Sequence, residues 1–407
     1  MATLAEPTPI TPPRAVGPGG WGVIVAYALV AAAAQMLWLT YAAITDQTAA
    51  RYGVSTSTVG WLSEIFPLVY VVLAIPAGIL LDRWFRPVLA AGGLLVAAGG
   101  LVRLGGETFG WALAGQILVA LAQPVVLSAV GKLAGEYLSP EDRTTGIAVG
   151  SAGSFVGMLA ALLLGPILGD HGHLERLLVV EGLLAVAPTA VLAVRLRRPG
   201  RFQGEPAAIA RGTARLLWAE PQMRTLCGLV FLGFGVFVAL ATWLQTLLKP
   251  SHVSDTTAGV LLVGTIIAGV VGCAVLPPMV DRRHSERRFM LVAVAASLVG
   301  SAALGAIPWV GGRAVVLVAM GLFLLPALPV VLSGAEQLAG TAAAGTAGAI
   351  VWMAGNLGGL VVAVIVQVLV HHPLAAFLAL AVVSGFGLPL ALRLPGPGGR
   401  AQPAGSG

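Results

Sequence analysis

Few side chains in this 407-residue sequence could do polar chemistry deep inside an apolar stretch, and they fall in pairs. Gln35 and Trp38 stand three apart, Gln116 and Gln123 seven apart, and Trp352 and Asn356 four apart, so on a helix each pair shares one face. An amide or indole in such surroundings is costly unless it faces a cavity or a partner. Neutral amides beside aromatic rings can bind a cationic or amphipathic solute through hydrogen bonds and cation–π attraction. The same groups can also simply tie two helices together, a contribution averaging about 0.6 kcal/mol. Trp243 and Trp309 fall near the ends of apolar stretches, where aromatic belts are routine, whereas Trp38 lies deeper and Tyr41 fits either role.

Covalent and metal chemistry are not indicated. The sequence has no His-Glu-x-x-His, Gly-x-Ser-x-Gly or Walker loop, and its six histidines (171, 173, 252, 284, 371 and 372) include no i, i+4 pair. Cys227 and Cys273 both lie in apolar runs, where cysteine behaves as a small hydrophobe. No catalytic residue, metal or cofactor is expected, and the chain does not read as an enzyme.

The elements that must position these groups follow from composition. Apolar residues make up 57% and charged residues 10%, against about 25% charged in soluble domains, which excludes a soluble globule. Runs of helix-spanning length fall at about 21–44, 57–81, 87–105, 109–136, 144–168, 175–196, 223–248, 256–280, 289–308, 313–335, 342–370 and 373–394. These predict an all-α membrane protein of twelve transmembrane helices in two six-helix, pseudo-symmetric halves. The division is a tail at 1–20, read as disordered, a first half at 21–196, a central loop at 197–222, a second half at 223–394 and a tail at 395–407. Ala31 to Ala34 look like a signal-peptide cleavage site, but the segment before them is long and barely basic, so the first span is read as retained.

Charge fixes the expected orientation. With twelve spans, 18 of the 23 basic residues fall on one side. They include Arg83, Arg86, Lys132, Arg143, seven arginines from Arg195 to Arg224, and Arg282, Arg283, Arg287 and Arg288, with Arg14, Arg393 and Arg400 in or near the tails. The positive-inside rule makes that side cytoplasmic and places both termini there, in the plasma membrane or cell inner membrane. The net charge of +6 is thereby used for orientation, and no nucleic-acid partner is called for. Asp46, Glu64, Asp170, Glu181 and Glu336 all lie toward span ends, which leaves proton coupling without a mid-membrane carboxylate.

Two loops repeat at matched places. Gly78-Ile79-Leu80-Leu81-Asp82-Arg83-Trp84-Phe85-Arg86 ends the second span, and Pro277-Pro278-Met279-Val280-Asp281-Arg282 ends the eighth. These are similar to the loop motif of the major facilitator superfamily, with Phe85 where that family usually has glycine and Pro277 in place of the first glycine. The resemblance implies a latch in which Gly78, Asp82, Arg83 and Arg86, with Asp281 and Arg282, hold one side of a transporter shut. Small-residue runs at 150–154 and 345–348 suit close helix contact between halves that rock.

Within that superfamily, several segments resemble the haem and choline transporter branch, the family of the feline leukaemia virus subgroup C receptor. They are Trp38 to Ala42, Ala50 to Ser55, Gly60 to Ser63, Ile75 to Gly78, Val102 to Gly105, Gly115-Gln116, Ala122 to Leu127, Lys132 to Ala134 and Gly235 to Phe237. The resemblance implies a cavity lined by spans 1, 4, 7 and 11, with Trp38 and Gln123 as cage residues. Val238 stands where the branch has an aromatic residue and Asn356 where it has glutamine, so one wall of the cage is missing. The substrate-binding set expected from residues and resemblance together is Trp38, Gln123, Asn356, Gln35, Tyr41, Val238 and Trp352.

The function expected is alternating-access movement of a small organic solute, with the protein a monomer in the lipid bilayer acting as a uniporter or exporter of a cationic or amphipathic metabolite. The alternative is a proton-coupled drug or metabolite efflux antiporter. A receptor or scaffold without transport is the different class, and the longest loop is too short for the soluble module it would carry.

Overall fold

The computed structural model describes residues 19–169, 173–202 and 212–396. The two expected tails lie almost wholly outside those residues, as do Arg14, Asp170, His171, Arg211 and Arg400. Along the first half run α1 (Gly19–Leu39), α2 (Thr45–Tyr52), α3 (Thr56–Arg83), α4 (Phe85–Val102), α5 (Phe109–Ser128), α6 (Val130–Tyr137), α7 (Arg143–Leu168) and α8 (Leu174–Leu196). The second half has α9 (Thr213–Ala219), α10 (Pro221–Leu248), α11 (Asp255–Arg282), α12 (Glu286–Ala306), α13 (Val310–Leu324), α14 (Ala327–Val368), α15 (Pro373–Gly385) and α16 (Gly387–Leu392). Near-uniform hydrophobicity is what lets these segments stay helical in lipid, where every backbone group must be satisfied within its own segment.

Eleven segments among the described residues are long and apolar enough to cross a membrane. One of them, Val310–Val368, has 59 residues, or about 90 Å of helix, enough for two crossings of a core about 30 Å thick. The turn between those two passes falls at Gly340, with φ 69° and ψ 166° inside α14. The tenth and eleventh passes thus meet at a single residue instead of the expected loop. Twelve crossings result, in two bundles of six. Three of the crossings are interrupted: α5 passes into α6 at Ala129, α13 into α14 at Leu325 and Pro326, and α15 into α16 at Phe386.

Within the first bundle α1 packs on α7 and α8, and α4 on α5 and α8. In the second, α10 packs along α14, α11 along α13, and α12 along α15. The bundles meet where α14 lies against α3 and α6 and where α11 lies against α7. Outward faces carry apolar side chains such as Val72, Ile167, Val315 and Val368, all more than two-thirds exposed, as a lipid-facing surface requires. We call the end where α3 finishes and α10 begins the basic end, and its opposite the far end.

Gly340 is solvent-exposed, and a Cβ built there meets nothing within 4 Å, so glycine is required by backbone conformation alone. Gly340→Ala should therefore cost about 1–3 kcal/mol and lower the melting temperature in detergent. Thermal unfolding of the purified variant checks this, and an unchanged melting temperature refutes the requirement.

Candidate functional site

At mid-depth of the first bundle, α1 and α5 bring the two expected amides together. Gln123 Nε2 donates to Gln35 Oε1 at 2.8 Å, with both residues buried. One turn further along α1, Trp38 donates its indole N–H to the Ser63 carbonyl of α3 at 3.0 Å, and its ring lies 6.1 Å from that of Phe66. Trp38 remains half-buried, so part of its ring stays accessible.

In the second bundle the expected Trp352 and Asn356 do share a face, and Asn356 Nδ2 donates to the Trp352 carbonyl at 2.9 Å. The Trp352 ring meets Phe234 edge to face, with centroids 5.6 Å apart and planes at 81°, and lies 6.4 Å from Tyr70 of α3. Phe234 continues to Phe237 at 6.0 Å, and Phe237 to Phe155 of α7 at 6.1 Å. Because Phe66 and Tyr70 are one turn apart on α3, these contacts make an aromatic seam running from Trp38 across both bundles. Tyr70 is anchored to Ser128 of α5 through their hydroxyls at 2.9 Å. The Trp352 indole N–H is buried and finds no acceptor among the described residues. Val238 is half-buried, and its side chain stands 3.3 Å from where a Cβ on Gly359 would be.

Phe66, Tyr70, Phe155, Phe234 and Phe237 were not among the sequence candidates. Their signal was the i, i+4 spacing of Phe66 with Tyr70 and the i, i+3 spacing of Phe234 with Phe237, which in so apolar a chain reads as ordinary core. Three more residues singled out in the sequence have partners of their own. The Trp243 indole donates to the Ala363 carbonyl of α14 at 3.1 Å. Gln116 does not join Gln123; it donates to the Leu62 carbonyl at 3.0 Å and accepts from Arg103. Tyr41 is fully buried in a separate far-end cluster with Ile44, Leu62 and Leu177, under the Arg103 guanidinium at 5.3 Å, so it does not line the seam.

The acidic residues toward span ends also differ in environment. Asp46 and Glu64 are exposed, whereas Glu181 is fully buried and pairs with the equally buried Arg103 at 3.6 Å. Position along a helix indicates depth but not which face a residue occupies, so a span-end acid can be either solvated or sealed inside.

At the basic end the bundles are locked together. Asp82, its side chain fully buried, accepts from the Gly345 and Thr346 amides at 2.7 and 2.8 Å and from the Thr346 hydroxyl at 2.5 Å. Lys132 of α6 stands 3.6 Å from Asp82 and donates to the Thr341 and Ala342 carbonyls at 3.1 and 3.3 Å. Those carbonyls belong to residues four before the two amides, so the ion pair brackets two successive rungs of α14, anion on the donors and cation on the acceptors. Gly78 permits this approach, because a Cβ there would lie 2.9 Å from the Gly345 carbonyl oxygen and 2.8 Å from the Thr346 Cα. Phe85 lies 6.0 Å beneath the Lys132 ammonium, a cation–π contact at the position where glycine was expected. Arg83 stacks on exposed Trp84 at 4.5 Å, Arg86 is half-buried, and in the second loop Asp281 is half-buried and Arg282 exposed. A second set of contacts joins α7 to α14, with Arg143 paired to Glu336 at 3.4 Å and Thr144 bonded to Ser333 at 2.9 Å.

The family model described as "Major Facilitator Superfamily" matches residues 23–363. The chain belongs to the major facilitator superfamily. It is 29% identical over 320 residues to "Solute carrier family 49 member A3" of Danio rerio, covering 73% of this chain and 66% of that protein. It is 23% identical over 304 residues to "Choline/ethanolamine transporter FLVCR2" of Homo sapiens, covering 69% of this chain and 58% of that protein. The chain thus spans about two thirds or less of the length of these relatives. Among solved structures, the human organic anion transporter MFSD10 superposes with a TM-score of 0.70 at 17% identity, covering 92% of this chain and 100% of that one. FucP in the outward conformation superposes with a TM-score of 0.69 at 14% identity, covering 91% and 99%. Both share the superfamily fold. The protein is therefore a multi-pass membrane protein, and its resemblance to the haem and choline branch is borne out by relatives from that branch.

Asp82→Ala removes three inter-bundle hydrogen bonds and leaves Lys132 with the Thr341 and Ala342 carbonyls and, 3.8 Å away, Glu136. With bonds to charged groups each contributing about 1.5–3 kcal/mol, the lock should loosen measurably. In a background without Cys227 and Cys273, a cysteine at the buried Ala344 should react faster with a maleimide once Asp82 is removed. Equal labelling rates with and without Asp82 would show that it does not hold this end shut.

Proposed function

We propose that the chain carries a small organic solute across the bilayer by alternating access, the bundle at 21–196 rocking against that at 223–394. The observation that carries this reading is an aromatic contact between the bundles, Tyr70 of α3 against Trp352 of α14, flanked by the amide pair Gln35 and Gln123 and the half-buried Trp38 in the first bundle and by Asn356 in the second, with the basic end closed by contacts between the bundles. Taking the basic end as cytoplasmic under the positive-inside rule, this is an outward-facing arrangement. The hydrogen bonds and ion pairs seen joining the bundles among the described residues cluster at that end, which supports a rocking motion that opens it when they break.

The site chemistry favours a cationic or amphipathic solute. Trp38 offers an aromatic face and Gln123 an amide, and the relatives named for choline and ethanolamine handle that class. Val238 in place of an aromatic residue leaves the cage more open, which favours weaker or broader recognition of quaternary amines. Uniport is favoured over proton coupling, because Glu181, the buried carboxylate of α8, is engaged by Thr40 and Arg103 and not by the amide pair.

The test is uptake of radiolabelled choline and ethanolamine into proteoliposomes. The double variant Trp38→Ala, Gln123→Ala should lose about tenfold or more in kcat/KM while inserting normally, since both contacts to the solute are gone. Unchanged uptake would remove these residues from the site. Accumulation driven by an imposed pH gradient would replace uniport by proton coupling.

A further inference from the structure

We propose that Arg103 is the positioning residue for Trp38, acting through the last turn of α1. The inference rests on Trp38 lining the solute site and adds what holds it there. α1 stops at Leu39, so its final carbonyls lack the amide donors that a continuing helix would supply. Arg103, Gln116 and groups of the chain just beyond α1, the Thr40 hydroxyl and the Ala43 amide, supply them instead. Arg103, immediately after α4, donates through its Nη2 to the Leu37 carbonyl at 2.6 Å and to Gln116 Oε1. Gln116 of α5 donates in turn to the Leu62 carbonyl at 3.0 Å and reaches the Trp38 carbonyl at 3.5 Å. Arg103 also donates through Nη1 to the Thr40 hydroxyl at 3.1 Å, and that hydroxyl bonds Glu181 of α8 at 2.6 Å.

The main chain of Trp38 is therefore held from one side by Gln116, while its indole N–H is held by Ser63, the residue next to Leu62 whose carbonyl the same Gln116 engages. Gln116 thus touches the backbone beside both grips, at Leu62 next to Ser63 and more distantly at the Trp38 carbonyl, and Gln116 is itself bonded by Arg103. A guanidinium at the carboxyl end of α1 also matches the negative end of the helix dipole. A sealed ion pair is no cheap way to stabilise a bundle, since apolar replacements of similar volume commonly do as well. Its convergence on the backbone of one aromatic residue accounts for its presence.

The experiment uses the full chain in nanodiscs with 5-fluorotryptophan, the Trp38 resonance being identified by its loss in Trp38→Phe. Arg103→Gln should shift or broaden the Trp38 fluorine signal while leaving those of the other eight tryptophans, such as Trp243 and Trp309, in place. It should also raise the KM for choline about tenfold with little change in maximal rate, the pattern of a misplaced binding group. Arg103→Lys should restore part of both. If Arg103→Gln does not fold because Glu181 is left unpaired, the neutral pair Arg103→Gln, Glu181→Gln carries the same test. A folded variant in which the Trp38 signal is unmoved, or in which all tryptophan signals move alike, overturns the proposal. A moved Trp38 signal in a protein that takes up no choline keeps the positioning role and discards choline as the solute.

Discussion

The arrangement depends on one constraint, that a charge removed from water inside a bilayer must find its partners within the protein. At the basic end Asp82 and Lys132 meet it together by gripping the backbone of α14 from both sides of the same two rungs. Neither residue could sit there alone. An unpaired buried carboxylate or ammonium costs several kcal/mol, and the helix backbone offers oriented dipoles to both signs at once. The close approach of α3 to α14, allowed by Gly78, brings those dipoles within reach. Closure of the basic end is thus a consequence of satisfying two charges, and it lasts only as long as both bundles contribute.

Higher in the fold the same constraint is met within one bundle. Arg103, Glu181, Thr40 and Gln116 satisfy most of one another's demands without a residue from the second bundle. Between these two polar centres lies the seam of Trp38, Phe66, Tyr70, Trp352, Phe234, Phe237 and Phe155, which joins the bundles by ring contacts. Each ring pair adds only about 0.5–1.5 kcal/mol beyond its buried area, over centroid distances of about 4.5–7 Å, so separating one costs less than stranding a buried charge. A surface of this kind can part and re-form around a solute, as a fixed ion pair could not.

Much of the fold was legible in the sequence because membrane spans are written in long apolar runs and in the side on which arginines fall. The common face of Trp352 and Asn356 was legible too, since helical spacing puts residues four apart on one side, whereas the bond between Gln35 and Gln123 joins two helices and no spacing announces it. Three things were not. The join between the tenth and eleventh passes at Gly340 hides within one unbroken apolar run, where a lone glycine among many carries no special mark. The Arg103 and Glu181 pair joins residues far apart in sequence, and nothing local distinguishes a sealed charge from a solvated one. Gln116 and Gln123 share a face of α5, yet seven residues separate them by about 10 Å of helix, enough to serve different centres.

That separation of centres bears on the energetics of the rocking proposed above. Contacts confined to one bundle, such as Arg103 with Glu181 or Gln35 with Gln123, move as part of a rigid body and neither help nor oppose the transition. Only the inter-bundle set would be exchanged, and among the described residues it comprises Asp82 of α3 and Lys132 of α6 bonded to one turn of α14, Arg143 with Glu336, and Thr144 with Ser333. Each bond is worth about 0.5–1.5 kcal/mol net, or about 1.5–3 when one partner is charged, so the set sums to several kcal/mol. Opening the basic end then becomes accessible when new contacts at the far end, or water entering the gap to solvate the freed charges, offset a similar amount. A solute held against the seam acts on this balance only through its differential affinity for the two arrangements. Trp38, fixed to its own bundle by Ser63 and Gln116, presents a constant face in both, whereas Trp352, with an unused indole N–H and neighbours in both bundles, is placed to contact a solute differently as the bundles move.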